Sequence, residues 1–257
     1  PVPDGGGPPV QIPPFQITDL DLSPDGTFAL GVLRELGLVV KIPVPGGFAD
    51  PSTIEVLPTG GVFVGSAEIS SGGRVALLYT NADPSVEAVV ILPLDGAAPR
   101  PVALEKGVLA VAIAPDEETA FIVHSRQPGD PAEPGLDLDA QIDRQEGYSL
   151  LRIDENFPTL AVTPVAPGPF ALTPDGERLF VLFAGPGLAE VHSVDLVRSQ
   201  AAVIPLGSRP LSVGAMPGST SVFVGQDHPD GRLSFIDWQT GLVQTVTGFE
   251  LNGRIRE

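Results

Sequence analysis

Two stretches of this chain, LSPDGTFALGV at 22–32 and LTPDGERLFVL at 172–182, place a short polar turn directly before a strongly apolar strand. Proline fixes φ at the first corner of such a turn, and glycine tolerates the positive φ that a later corner requires. The same pattern recurs in ISSGGRVALLY (69–79), IAPDEETAFIV (113–123) and AMPGSTSVFVG (215–225). Successive turns, aligned on Asp25, Gly72, Asp116, Asp175 and Gly218, are 47, 44, 59 and 43 residues apart. The chain therefore contains five copies of one structural unit.

The second half of each unit also repeats, in VVKIPV (39–44), VVILPL (89–94), LLRIDE (150–155), VHSVDL (191–196) and LSFIDW (233–238). A further strand follows, as in STIEVLP, AAVIPLG and LVQTVTG, and no helical periodicity of useful length is present. Four short antiparallel strands in every 40–50 residues are typical of a β-propeller. We therefore predict an all-β propeller with five visible blades, either a closed five-bladed ring or an incomplete larger ring.

The SPDG, APDE and TPDG turns, together with IDWQTG at 236–241, resemble the YVTN and WD40-like family of propeller repeats. The resemblance extends over about residues 16–250. The repeats lack a YVTN tetrapeptide and the Gly-His and Trp-Asp pairs of that family. The resemblance therefore implies an architecture and implies no particular activity.

The overall composition excludes several classes of function. The chain has 257 residues, with 14 Lys+Arg against 32 Asp+Glu, a net charge of −18 and no cysteine. Disulfide, thiol and cysteine–metal chemistry are thereby excluded, and a field this acidic disfavours nucleic acid as a partner. The 30 glycines and 29 prolines approach the level of a disordered chain, but a 42% hydrophobic content indicates a folded one. No apolar run is long enough to span a membrane.

The N-terminal stretch PVPDGGGPPVQIPP (1–14) has the composition of an extended tether. We predict a stalk or linker at 1–15 and a propeller domain at 16–257. A tether before an acidic, rigid domain favours export, to the periplasm or to the cell surface, with attachment at the N-terminus.

The third unit is longer than the others because it contains an insertion, RQPGDPAEPGLDLDAQIDRQEGY at 126–148, between its second and third strands. Long loops on rigid scaffolds commonly carry function. We predict that a protein partner binds the six carboxylates of this loop: Asp130, Glu133, Asp137, Asp139, Asp143 and Glu146. A weaker alternative is a Ca²⁺ site at Asp137, Asp139 and Asp143, although their spacing does not match an EF-hand.

The remaining candidate residues are histidines and recurrent aspartates. His124 ends a second strand and His228 lies just past the end of another, so both are expected to open on one face of the ring. His192 is expected to pack. Three aspartates occupy one position of the repeat: Asp154, Asp195 and Asp237. They could form a ring of carboxylates, but we prefer the interpretation that each side chain caps a turn by accepting from nearby backbone amides.

No Gly-x-Ser-x-Gly, His-Glu-x-x-His or phosphate-binding motif is present. We therefore predict a non-catalytic protein-interaction or scaffold module that needs no cofactor. The alternatives are a propeller hydrolase of lactonase type and a binder of carbohydrate or another small ligand.

Overall fold

The computed structural model describes residues 16–183, 185 and 187–248, and these residues form five four-stranded antiparallel sheets. Within each sheet the strands pair in sequence order, and no strand pairs across a sheet boundary in the part of the chain described. Blade 1 contains β1 (Asp19–Leu22), β2 (Phe28–Leu33), β3 (Leu38–Pro43) and β4 (Glu55–Leu57). Blade 2 contains β5 (Ser66–Ile69), β6 (Val75–Tyr79), β7 (Ala88–Pro93) and β8 (Arg100–Ala103). Blade 3 contains β9 (Val108–Ile113), β10 (Thr119–His124), β11 (Glu146–Arg152) and β12 (Phe157–Thr163).

Blade 4 contains β13 (Pro167–Leu172), β14 (Arg178–Phe183), β15 (Glu190–Asp195) and β16 (Gln200–Pro205). Blade 5 contains β17 (Pro210–Ala215), β18 (Ser221–Gln226), β19 (Arg232–Asp237) and β20 (Val243–Thr247). This arrangement confirms the all-β prediction and the five repeats. The predicted stalk at 1–15 lies outside the described residues.

Helical structure is confined to connections. α1 (Gly46–Ala49) and a 3-10 turn (Pro51–Thr53) lie between β3 and β4, and a second 3-10 turn (Arg34–Leu36) lies between β2 and β3. α2 (Leu138–Asp143) lies between β10 and β11, where the sequence predicted an insertion. The insertion ends earlier than 148, because Glu146 is the first residue of β11.

The core lies between the faces of successive blades. Leu30 and Val32 of blade 1 pack with Leu78 of blade 2, and Leu77 of blade 2 packs with Ile122 of blade 3. β10 is buried along its whole length because both of its faces are covered. This double coverage explains why the second strands are continuous apolar runs rather than alternating ones.

The polar turns connect the blades as well as reversing the chain. In blade 1 the carboxylate of Asp25 accepts from Thr27 N at 3.1 Å, and Gly26 takes the positive φ of 68°. The corresponding corner of blade 3 is Glu117, a non-glycine residue at φ 61°. Its carboxylate accepts from Gly72 N at 3.0 Å and from Arg74 N at 3.1 Å. Bonds to the preceding blade thus compensate for an unfavourable backbone conformation.

The blades pack in sequence order, from blade 1 to blade 5. Among the described residues, no comparable packing of strands joins blade 5 back to blade 1. Closure of the ring is therefore not found within residues 16–183, 185 and 187–248, and this packing is compatible with the predicted incomplete ring.

Because the strands are antiparallel, the connections of every blade alternate between two ends of the propeller. The end that carries the second-to-third-strand loops also carries the blade-to-blade connections. We call it the insertion end, because the segment between β10 and β11 lies there. The polar turns lie at the opposite end, the turn end.

Candidate functional site at the insertion end

A buried lysine fixes the insertion to the propeller. Lys106, in the connection between β8 and β9, is fully buried. Its Nζ donates to the carbonyl oxygens of Ile142 at 2.7 Å and Asp143 at 2.9 Å. A positive charge at the C-terminal end of α2 also suits the partial negative charge of those carbonyls. Burial lowers the pKa of Lys106, whereas the carboxylates of Asp143, Glu146 and Glu87 oppose that shift.

Two arginines hold the rest of the insertion in shape. Arg126 Nε donates to Arg144 O at 2.8 Å, and Gln127 N donates to Asp143 O at 2.8 Å. Arg144 donates to Asp130 O at 3.2 Å and forms a short ion pair with Glu133. The insertion is therefore an ordered element with its own internal bonds.

The six predicted carboxylates have different roles. Asp137 caps α2 by accepting from Ala140 N at 2.9 Å, and Asp130 accepts from Ala132 N at 2.8 Å. Glu133 forms an ion pair with Arg144, and Glu146 Oε1 lies 3.8 Å from Arg126 Nη1. Asp139 and Asp143, by contrast, contribute to the electrostatic field around Glu87, a residue of blade 2.

A cavity of about 380 Å³ lies where three connections of the insertion end meet. Its carboxylates come one from each connection, namely Glu87 before β7, Glu105 before β9, and Asp139 in α2. Its apolar lining is Leu104, Leu138 and Ile142, and Leu138 is 68% exposed. Burial, followed by the charges of Asp143 and Asp139, raises the pKa of Glu87. The cavity therefore combines apolar walls with a negative field that Lys106 only partly offsets.

A larger cavity, of about 620 Å³, lies on the other side of the insertion, against the connection between β12 and β13. Its polar lining includes Arg126, Arg144 and Glu146. Both arginines already have acidic partners, Glu146 and Glu133 respectively. The charges of this second cavity are thus largely neutralised within the protein.

The Ca²⁺ alternative gains no support. Within residues 16–183, 185 and 187–248, no three acidic or histidine side chains come together as metal ligands. Asp137 directs its carboxylate to the backbone of α2 instead of towards Asp139 and Asp143.

The expectation that His124 opens on a face of the ring is wrong. His124 is only 2% exposed, with Nδ1 3.2 Å from Gly107 O and Nε2 2.7 Å from Ser149 Oγ. Because Gly107 O only accepts, Nδ1 carries the proton and Nε2 accepts from Ser149. Burial is the main cause that lowers the pKa of His124, to about 4. His124 is therefore a neutral structural residue.

The other two histidines also have nearby partners. His192 lies 3.0 Å from a carboxylate oxygen of Glu190, and its ring packs edge-on against Phe183 with the centroids 4.5 Å apart. Packing was the role expected for it. His228, in the loop after β18, accepts from Asp230 N at 3.3 Å.

The recurrent aspartates mostly cap turns. Asp195 accepts from Arg198 N at 2.8 Å, and Asp237 accepts from Thr240 N at 2.7 Å. Bonds from Thr220 and Thr240 lower the pKa of Asp237 to about 2. Asp154 differs, because it accepts from Arg74 of the preceding blade at 3.2 Å. The preferred interpretation thus holds for two of the three positions.

Sequence reasoning missed an acidic contact between blades 1 and 2. Asp19 Oδ2 accepts from Ala67 N at 2.9 Å, and Asp21 Oδ2 accepts from Ile69 N at 2.6 Å. Glu68 lies between these two acceptor sites on β5. Burial raises its pKa to about 7, and the charges of Asp21 and Asp19 add to the shift.

Replacing Glu68 with glutamine should stabilise the protein at alkaline pH. The folded-state pKa of Glu68 lies above its ordinary value, so the carboxyl contributes stability at low pH that is lost as pH rises through about 7. With allowance for partial solvent screening, we expect E68Q to exceed wild type by about 1 kcal/mol at pH 8.5. Urea unfolding at pH 5 and 8.5 measures this, with E55Q as an exposed control. An equal difference at both pH values would contradict the assignment.

Comparison with known proteins places the fold. No family model and no curated protein sequence matches the chain. Among solved structures, the Cps50 (Swd1) β-propeller domain of "Myceliophteria_thermophila" matches with a TM-score of 0.55 at 14% identity, covering 90% of this chain and 70% of that one. A chain of a mitotic checkpoint complex matches with a TM-score of 0.54 at 15% identity, with coverages of 89% and 64%.

A third match, hydrazine synthase of Kuenenia stuttgartiensis, has a TM-score of 0.52 at 13% identity and coverages of 90% and 65%. This chain thus spans about two thirds of the length of these structures. Identities this low show the fold alone, and one of the three matches is an enzyme. Within the described residues, no helix has the length and apolar character needed to cross a membrane. The chain has the fold of a β-propeller.

Proposed function

We propose that this propeller is a non-catalytic protein-interaction module that binds a basic segment of a partner protein at its insertion end. The observation that carries the proposal is the cavity of about 380 Å³ with Glu87, Glu105 and Asp139 around apolar walls. A lysine or arginine side chain has an apolar stem and a cationic head, so it matches both parts of this lining.

The charge balance supports a cationic ligand. The pKa of Glu87 is raised, with burial as the first cause and the like charges of Asp143 and Asp139 next. An incoming cation would relieve this repulsion at the cavity. Lys106 only partly offsets the repulsion, since its Nζ is directed to the carbonyl oxygens of α2. The net charge of −18 would also accelerate the approach of a basic partner.

Rigidity supports the same proposal. Lys106, Arg126 and Arg144 hold the insertion before any partner arrives. A surface that is already ordered loses less conformational entropy on binding than a flexible loop does. Leu138, exposed at the cavity, offers an apolar contact for the centre of an interface.

The binding test uses an array of nine-residue peptides that contain lysine or arginine beside one apolar residue. We expect the triple variant E87Q/E105Q/D139N to bind the selected peptides at least tenfold more weakly than wild type. The matched control is E55Q/E118Q/E177Q, which removes three exposed carboxylates away from the insertion end.

Salt provides the second arm of this experiment. The affinity of wild type for the selected peptides should decrease as the NaCl concentration is raised from 50 to 300 mM, because the proposed contact is electrostatic. Equal binding by wild type and E87Q/E105Q/D139N, at either salt concentration, would refute the proposed site.

We further propose that the protein is exported and tethered through residues 1–15. The support is compositional, from the Pro/Gly-rich segment PVPDGGGPPVQIPP and the net charge of −18. Fractionation of the source cells, with an antibody against the propeller, tests this proposal. Recovery of the protein in the cytoplasmic fraction would reject it.

A further inference from the structure

The outer strand of blade 3 is the longest of the five outer strands. β12 (Phe157–Thr163) pairs with β11, and within the described part of the chain no strand pairs with its other edge. It has seven residues, whereas the outer strands of blades 1, 2, 4 and 5 have three, four, six and five. It also carries no charge, whereas β4 and β8 contain Glu55 and Arg100. Proteins commonly shorten or charge such an edge, because an open edge can pair with another chain.

The backbone of β12 can extend the sheet at this edge. Along a strand, the N–H groups of alternate residues point to opposite edges. Pro158 has no N–H, so it suits a position that is directed outward, away from β11. Leu160 and Val162 share that direction by alternation, and each offers an N–H and a C=O group to a further strand. Proline therefore weakens only the part of this edge nearest the turn end.

The two ends of β12 have complementary shapes. Near the turn end, Phe157 is 58% exposed and lies two residues after the exposed Glu155. At the insertion end, β12 leads into the larger cavity, of about 620 Å³, whose apolar lining includes Val162, Pro164 and Val165. A large apolar side chain is thus uncovered at one end of the strand, and a cavity with apolar walls lies at the other end.

The charges at the two ends are complementary as well. Arg126 lines the cavity with a side chain that is 45% exposed, and its Nη1 lies 3.8 Å from Glu146 Oε1, which is farther than a hydrogen bond. Glu155, at the other end, pairs with Arg152 at 3.3 Å in an exposed ion pair, and such pairs contribute little stability. Arg126 can therefore bind a second carboxylate, and Glu155 can turn towards a new partner.

We infer that two copies of this chain form a two-fold symmetric dimer by antiparallel pairing of their β12 strands. The symmetry axis passes through Leu160, so Phe157 of one copy lies opposite the partner subunit's Thr163. The turn before β12 then enters the partner subunit's cavity, where Glu155 faces the partner's Arg126. The symmetry makes each of these contacts twice, and two-fold dimers are the commonest soluble oligomers.

The dimer does not depend on the proposed function. The cavity with Glu87, Glu105 and Asp139 lies on the other side of the insertion, so pairing through β12 leaves it open in both copies. The net charge of −18 on each chain opposes association. Pairing through an uncharged strand, with an arginine at each end of the interface, keeps this repulsion small.

Sedimentation equilibrium of the 257-residue chain, from about 1 to 200 µM in 150 mM NaCl, measures the association. We expect a monomer–dimer equilibrium that V162K weakens at least tenfold, because a charge on the edge strand opposes pairing. The matched control is V203K, which places the same charge on β16, another uncharged outer strand. Both valines are about half exposed, at 45% and 54%, so neither substitution should prevent folding.

The absence of cysteine allows the register to be tested directly. L160C places one thiol beside the symmetry axis, where the partner's thiol would lie opposite it at a separation that a disulfide can span. Mild oxidation should link most of the L160C protein into covalent dimers, whereas V203C should stay largely monomeric.

Two outcomes would overturn the inference. One is a wild-type protein that remains monomeric at every concentration. The other is association that V203K weakens more than V162K does, or oxidation that links V203C instead of L160C, since either result would place the contact on blade 4.

Discussion

Acidification from pH 7 to pH 4 is expected to cost the folded protein about 3 kcal/mol through His124 alone. The folded-state pKa of this histidine is depressed from 6.5 to about 4. Unfolded chains therefore take up a proton on His124 below pH 6.5, whereas the folded chain resists it until pH 4. The stability that the neutral ring provides is complete above pH 6.5 and is lost as the pH falls through that window.

The control for His124 comes from the repeat itself. Gln226 occupies the corresponding position of blade 5 and donates to Ser234 Oγ at 2.7 Å, as a non-titrating equivalent of His124. H124Q should therefore fold and should lose less stability than wild type between pH 6.5 and 4. Guanidinium unfolding across this range, followed by the fluorescence of Trp238, measures the difference. Parallel curves for the two proteins would contradict the assigned burial of His124.

Replacing Lys106 with methionine should detach the insertion, at a cost of about 2 kcal/mol in the free energy of unfolding. Methionine fills a similar volume, but it cannot donate to the carbonyl oxygens of Ile142 and Asp143. The carboxylates of Asp143, Glu146 and Glu87 would also lose their buried counter-charge. We expect the amides of α2 to exchange hydrogen at least tenfold faster, with β9 and β10 changed much less.

Lys41, the chain's other lysine, provides the matched control for K106M. Its Nζ lies 4.4 Å from the centre of the Phe28 ring, in a half-buried cation–π contact worth about 0.5–1 kcal/mol. K41M should leave exchange in α2 unchanged. Unaltered exchange in K106M would show that the lysine does not hold the insertion.

Much of the fold follows from local sequence. Turn residues such as Asp25 and Asp175 specify where the chain reverses its direction. Such turns are stabilised by hydrogen bonds to residues close in sequence, so they can be predicted locally. The apolar strands that follow, such as the one containing Phe180, then indicate sheets covered on both faces. Counting strands within the third repeat also places the insertion between the second and third strands of blade 3.

The candidate site depends on contacts that local sequence does not contain. Glu87 and Glu105 lie in other connections than Asp139, and only the shared end of the propeller brings them together. The second-to-third-strand loops and the blade-to-blade connections lie at the same end of a propeller. This rule could have pointed to Glu87 and Glu105. One sequence feature marked Lys106, because the chain has only two lysines beside twelve arginines. Its burial, however, depends on contact with α2. The inward role of His124 depends likewise on Gly107 and Ser149.

The central claim, that a basic partner binds the insertion end, can be tested by zero-length carbodiimide cross-linking of the protein in its source cells. The reagent joins a carboxylate to a lysine amine in direct contact, and this chain has only Lys41 and Lys106, the latter buried. Nearly every cross-link must therefore report a partner's lysine. We predict cross-links at Glu87, Glu105 and Asp139. Cross-links confined to the turn end, at residues such as Glu118 and Glu177, would contradict the claim.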